Sequence, residues 1–89
     1  MVRVKRLVLD VLKPHHPNGL EFSRVVAERV PHSYIRFSVD EVDENTETIV
    51  LIVEGRDLHF QDIEEAVSSL GGSIHSIDEV EVENREKDS

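Results

Sequence analysis

Cysteine is missing from this 89-residue chain, and aromatic residues are scarce, at one tyrosine and three phenylalanines. With no thiol, disulfides, iron–sulfur clusters, thiolate zinc centres and cysteine nucleophiles are all excluded. No apolar run approaches the roughly 20 residues of a membrane-spanning helix. The opening Met1-Val2-Arg3-Val4-Lys5 alternates like a strand and lacks a signal peptide's apolar stretch. The expectation is therefore a soluble, cytoplasmic protein that does not use a membrane. Cations are the next scarcity. Residues 1–36 hold seven Lys/Arg against Asp10, Glu21 and Glu28, but beyond them only Arg56, Arg85 and Lys87 face sixteen Asp/Glu. Non-specific grip on a phosphate backbone draws on cations that release counterions, so a net charge of -9 argues against a nucleic-acid partner.

What is present is repeated Val/Ile/Leu patterning, which sets the chain apart from a disordered polyelectrolyte. From Arg3 to Lys13 a strand places Leu7, Leu9 and Val11 on one face and Val4, Val8 and Leu12 on the other, as expected of a central strand. Pro14-His15-His16-Pro17 interrupts pairing, because proline has no N–H to donate. Asn18 followed by Glu21 has the form of a capping box. It opens a helix whose inner face reads Leu20, Ser23, Ala27 and Val30, with Val26 beside them, and which stops before Pro31.

Tyr34 to Val42 alternates Ile35, Phe37 and Val39 with polar residues, giving a half-exposed second strand. Asp43-Glu44-Asn45-Thr46 forms a turn into a third strand, Glu47 to Glu54, whose Thr48–Val53 core is apolar on both faces and therefore central. Phe60, Ile63, Ala66, Val67 and Leu70 follow at helical spacing, closed by Gly71-Gly72. A fourth strand runs from Ile74 to Val82, with a bulge expected at Asp78-Glu79 because Ile77 and Val80 differ in parity.

The order βαββαβ predicts an α+β, ferredoxin-like sandwich. Right-handed crossovers give a four-stranded antiparallel sheet of order 4-1-3-2 with both helices on one face. Residues 1–83 are read as one domain and 84–89 as a charged, frayed tail. A chain this short buries a small core, and strands one and three carry aliphatic residues on the uncovered face too. Both points predict a homo-oligomer that uses the bare face, a sheet edge, or both.

The same topology collects polar residues at one end of the sheet: Asp10, Lys13, His15, His16, Asp40, Glu41, Asp43, Glu47 and His75. Asp40, Glu41, Asp43 and Glu47 offer oxygen ligands for a hard cation such as calcium or magnesium, without the spacing or glycine of an EF-hand. An acidic hairpin that merely solvates a sheet edge has the same composition. His15, His16 and His75 are ligand types suited to zinc, copper or nickel, or are exposed loop histidines. His32 and His59 belong at the opposite end. Asp10 interrupts an apolar strand and needs a partner, for which Lys13, a backbone donor, a second subunit or a metal would serve. Ser68, Ser69, Ser73 and Ser76 lack a nucleophile elbow, and strands one and three lack the aromatics of an RNA-recognition sheet.

The stretches Leu7-Val8-Leu9-Asp10-Val11-Leu12-Lys13-Pro14-His15, Glu41-x-Asp43-x-x-Thr46-Glu47, Val53-Glu54-Gly55 and Ile74-His75-Ser76-Ile77-Asp78-Glu79-Val80 carry a further signal. Across Val2 to Glu83 the chain resembles a family of small uncharacterised archaeal proteins with a ferredoxin-like fold. The resemblance implies a cytoplasmic protein assembled into rings or larger oligomers, with metal ions bound in some members and no established activity. Asp10, Lys13, Glu41, Thr46, Glu47, His75 and Asp78 fall on its motif positions.

The leading expectation is an oligomeric binding or regulatory module that holds a divalent cation or small ligand at the strand-end cluster. Asp10, Lys13, His15, His75 and Asp78 are the ligand-binding candidates, and Asp40, Glu41, Asp43 and Glu47 the metal candidates. A purely structural or protein-interaction module is the alternative. An enzyme using Asp10, Lys13 and His75 for acid–base chemistry is the third, and requires those groups within hydrogen-bond reach around a concavity.

Overall fold

The computed structural model describes residues 1–86. Six elements follow one another: β1 (Val2–Pro14), α1 (Gly19–Arg29), β2 (Ser33–Val42), β3 (Thr46–Gly55), α2 (Phe60–Ser69) and β4 (Ser73–Asn84). The sheet order is β2-β3-β1-β4 with every neighbouring pair antiparallel, the expected ferredoxin-like topology. Alternation on the two central strands does the sorting. Leu7, Leu9 and Val11 of β1 and Ile49, Leu51 and Val53 of β3 are buried beneath the helices, while Val8, Val50 and Ile52 face the uncovered side, half-buried.

α1 begins as its sequence indicates, with the Asn18 side chain accepting the Glu21 N–H at 2.9 Å. The reciprocal half of the capping box is not made, because the Glu21 carboxylate pairs with Arg24 one turn on. The buried face also differs from the expected one. Phe22, Val26 and Val30 point into the core, whereas Leu20 is 80% exposed and Ala27 lies on the surface. The Phe22 ring packs against Phe37 of β2 with centroids 5.9 Å apart, and an aromatic side chain removes more area from water than Leu20 would.

α2 buries Ile63, Ala66 and Val67, as its spacing predicts, with Phe60 and Leu70 at the margin. It ends in a Schellman motif: Gly72 N–H donates to Val67 O and Gly71 N–H to Ser68 O, both at 3.0 Å, with Gly71 at φ +82°. Ahead of α2, Leu58 is buried from a loop and its N–H donates to Val4 O at 2.9 Å.

The β1–β4 ladder shifts register three times, and Asp78 is the extra residue between the pairs Val8↔Glu79 and Leu9↔Ile77, where the sequence predicts a bulge. A second shift leaves His75 extra between Asp10↔Ser76 and Val11↔Ile74. β4 continues past the expected domain end: Asn84 pairs with Val2, and Arg85 N–H donates to Met1 O. Residues 87–89 of the anticipated tail lie outside the described residues. Because β3 stops pairing at Arg6, Val2–Lys5 and the end of β4 project as a two-stranded ribbon, and the molecule measures 51 × 23 × 17 Å. No helix of the described residues is long and apolar enough to cross a membrane.

Candidate functional site

The expected strand-end cluster exists as two separate sites, because the sheet itself stands between its members. Lys13 shares the parity of Leu9 and Val11 and enters the helix-covered side; Asp10 has the opposite parity and opens onto the bare side. Lys13 is therefore not the partner of Asp10, and the acid–base grouping of Asp10, Lys13 and His75 is not assembled.

On the helix side, Lys13 is fully buried at the end of the core. Its Nζ donates to Pro14 O at 2.8 Å and His15 O at 3.4 Å, pairs with Glu47 Oε1 at 3.2 Å, and lies 5.9 Å from the centroid of the Phe22 ring. Glu47 reaches it from the position directly opposite on β3. The second oxygen of Glu47 meets His15 Nδ1 at 3.2 Å, while His15 Nε2 lies 2.9 Å from Glu44 O. Both ring nitrogens thus face acceptors, an arrangement that only the imidazolium satisfies fully. The Glu47 hydrogen bond, then the Glu44 carbonyl, raise the His15 pKa above its ordinary 6.5. In return His15, then Lys13, hold the Glu47 carboxyl below its ordinary 4.5.

That pairing removes Glu47 from the anticipated cation site. Asp40, Glu41 and Asp43 are exposed, and the hairpin is closed by its backbone, Asp43 N–H to Thr46 O at 2.8 Å. Among the described residues no three His, Asp or Glu side chains are placed to hold a metal ion, so neither the acidic hairpin nor His15, His16 and His75 form a metal site within one chain.

On the bare side, Asp10 and His75 line a hollow of about 370 Å³ together with Leu12, Thr48 and Ser73. The bulge at His75 carries its imidazole to the same side as Asp10, although Ile74 packs towards the helices. Asp78 stands apart, exposed and accepting from Ser76 Oγ at 2.7 Å. A larger concavity of about 610 Å³ lies on the helix side by Glu64, Glu65, Ser68 and Ser69, and contains none of the anticipated residues.

Sequence reasoning misses Thr48 and Ser73 in the hollow, and it misses Arg6. Strand register is the signal that would find them. Arg6 sits on the bare side among three carboxylates: Glu54 at 3.4 Å, Glu81 at 3.4 Å, and Glu79 in direct contact.

Two comparisons bear on this architecture. The uncharacterized protein MJ0319 of Methanocaldococcus jannaschii is 40% identical over 77 residues, covering 86% of this chain and 79% of that protein. A family model, DUF211, described as uncharacterized ArCR, matches residues 5–85, which span both the Lys13–Glu47–His15 site and the Asp10–His75 hollow. A match across nearly the whole chain, joined to that identity, shows that the chain belongs to the DUF211 family.

Proposed function

We propose that the protein is a self-associating binding module whose hollow at Asp10 and His75 takes a small cationic ligand. The observation that carries this reading is the bare sheet face. There, a carboxylate and an imidazole open into a hollow of small-ligand size beside an uncovered aliphatic strip of Val8, Val50 and Ile52. The hollow combines the Asp10 carboxylate and the His75 imidazole with two hydroxyls, from Thr48 and Ser73, and one apolar wall, Leu12. A divalent metal ion completed by water, or a compact ammonium group, matches that chemistry. The aliphatic strip supports self-association, because contiguous apolar surface on a small domain marks an interface.

Native mass spectrometry of metal-stripped protein tests both parts. Calcium, magnesium, manganese, zinc and the diamine putrescine are titrated separately while subunit number and bound mass are followed. Saturable uptake at a fixed ratio per chain, abolished by Asp10→Asn, is the expected result. Oligomers that take up only diffuse, salt-sensitive adducts, equally in the Asp10→Asn variant, would leave a purely structural assembly module in its place.

A further inference from the structure

The two concavities described above are neighbours. Ser73, the first residue of β4, lines both the Asp10–His75 hollow on the bare side and the 610 Å³ concavity beside α2 on the helix side. β4 is an edge strand, so the two meet around the rim of the sheet. Their linings also agree in sign. Among the described residues no lysine or arginine borders either concavity, and carboxylates stand at both far ends, Asp10 at one and Glu64 and Glu65 at the other. Glu64 and Glu65 are exposed, and Glu65 accepts a long hydrogen bond from Gln61 Nε2 at 3.4 Å. α2 ends at this concavity with no basic residue in its last turn, so the negative end of its dipole adds to the same field. Between the acidic ends the walls are hydroxylic and aliphatic: Ser68 and Ile74 on the helix side, Ser73 at the rim, Leu12 on the bare side.

We infer that the two concavities form one groove for a linear aliphatic polyamine, which passes round the β4 edge at Ser73 with one terminal ammonium on Asp10 and the other on Glu64 and Glu65. This rests on reading the Asp10–His75 hollow as a cation site and names the class of its ligand. A single metal ion engages only one acidic end, whereas two ammonium groups joined by methylenes engage both. Ile74 and Leu12 give the methylene chain an apolar wall on each side of the rim, and the serine hydroxyls accept from any ammonium between the ends. Length decides which amines fit. One strand spacing of about 4.8 Å across the sheet and one packed layer of about 10 Å through it put the ends on the order of 10–15 Å apart. An extended chain advances about 1.2 Å per bond, so putrescine reaches about 6 Å and 1,8-diaminooctane about 11 Å, the span of the triamine spermidine. A ligand held at both ends makes its second contact intramolecularly and gains affinity over one held at a single end.

The test varies length at constant charge. Putrescine and 1,8-diaminooctane each carry two positive charges, so the general attraction of a chain of net charge -9 is the same for both. Octylamine has the methylene run of the longer diamine and one ammonium, which isolates the contribution of apolar burial. Isothermal titration calorimetry at about 0.15 M salt keeps diffuse attraction screened. The wild-type protein is expected to bind 1,8-diaminooctane saturably, on the order of tenfold or more tighter than either putrescine or octylamine. Glu64→Gln combined with Glu65→Gln should abolish that length advantage, and so should Asp10→Asn alone. Circular dichroism verifies that each variant is folded. Should Asp10→Asn disturb β1, the glutamate pair on the exposed surface of α2 decides the matter by itself.

The two ways to fail are distinguishable. If neither an amine nor a metal ion binds saturably to the wild-type protein, the cation site at Asp10 is lost and the polyamine groove with it. If Asp10-dependent binding of putrescine or of a metal ion is found, but 1,8-diaminooctane binds no tighter than putrescine or octylamine, or binds equally well after Glu64→Gln with Glu65→Gln, the groove is overturned and the Asp10 site stands.

Discussion

Lys13 closes the core strip of β1 with an ammonium group, and its surroundings explain how a fully buried charge is tolerated. Two carbonyls and the Glu47 carboxylate satisfy its three donors. Glu47→Ala removes the only anionic member of that set and leaves a buried cation with carbonyls alone. It is expected to lower the urea midpoint well beyond the small scatter of ordinary surface substitutions. His15 adds a pH dependence of known sign. Its pKa is raised on folding, so its contribution is complete below the unfolded value of 6.5 and is lost as pH rises through the folded value. Glu47 is shifted down, so its contribution is present above 4.5 and is lost as pH falls through its folded value. A His15→Gln variant should therefore melt below wild type at about pH 5.5, and the difference should shrink towards about pH 8.5. This site is half legible in the sequence. Topology puts Lys13, His15 and Glu47 at one end of the sheet, but it assigns residues to an end and only parity assigns them to a side. Asp10 and Lys13 are three residues apart, an odd separation, so a straight strand sends them to opposite faces.

At the level of elements, the six segments and their order are readable because the period changes sharply at Pro14–Pro17, Pro31 and Gly71-Gly72. The orientation of α1 is not. Its eleven residues contain apolar side chains at Leu20, Phe22, Val25, Val26 and Ala27, which fit more than one stripe, and the choice falls to whatever the sheet offers as a partner. That partner is Phe37, reached by Phe22. Phe22→Ala is expected to destabilise by about 3–5 kcal/mol, a large share of the total for a domain of this size. Leu20→Ala should stay within about 0.5 kcal/mol of wild type, as befits an exposed position. Equal losses in paired denaturant titrations would return α1 to the orientation suggested by its sequence. α2 poses no such ambiguity, since its apolar positions form one stripe and its glycine pair a definite stop.

For the whole molecule, cohesion is uneven along its 51 Å length. Leu9, Val11, Ile49 and Leu51 are completely buried, whereas the ribbon of Val2–Lys5 and the end of β4 has no third strand and meets the core only through Val4, which packs against it and accepts the Leu58 N–H. Amide hydrogens of Val2, Arg3, Glu83 and Asn84 should exchange faster than those of Leu9 and Leu51, which open only with the entire domain. Exchange at a single uniform rate would show that the ribbon belongs to the same cooperative unit. The bulges of β4 have a consequence for how this chain can change over generations. With an extra residue at Asp78, Ile77 and Val80 regain the side of the sheet that simple alternation would deny to one of them. Replacing exposed Asp78 leaves that count intact, but deleting it inverts every side chain on one flank. β4 should thus accept many substitutions and almost no insertion or deletion, a strand with a loose spelling and a fixed length.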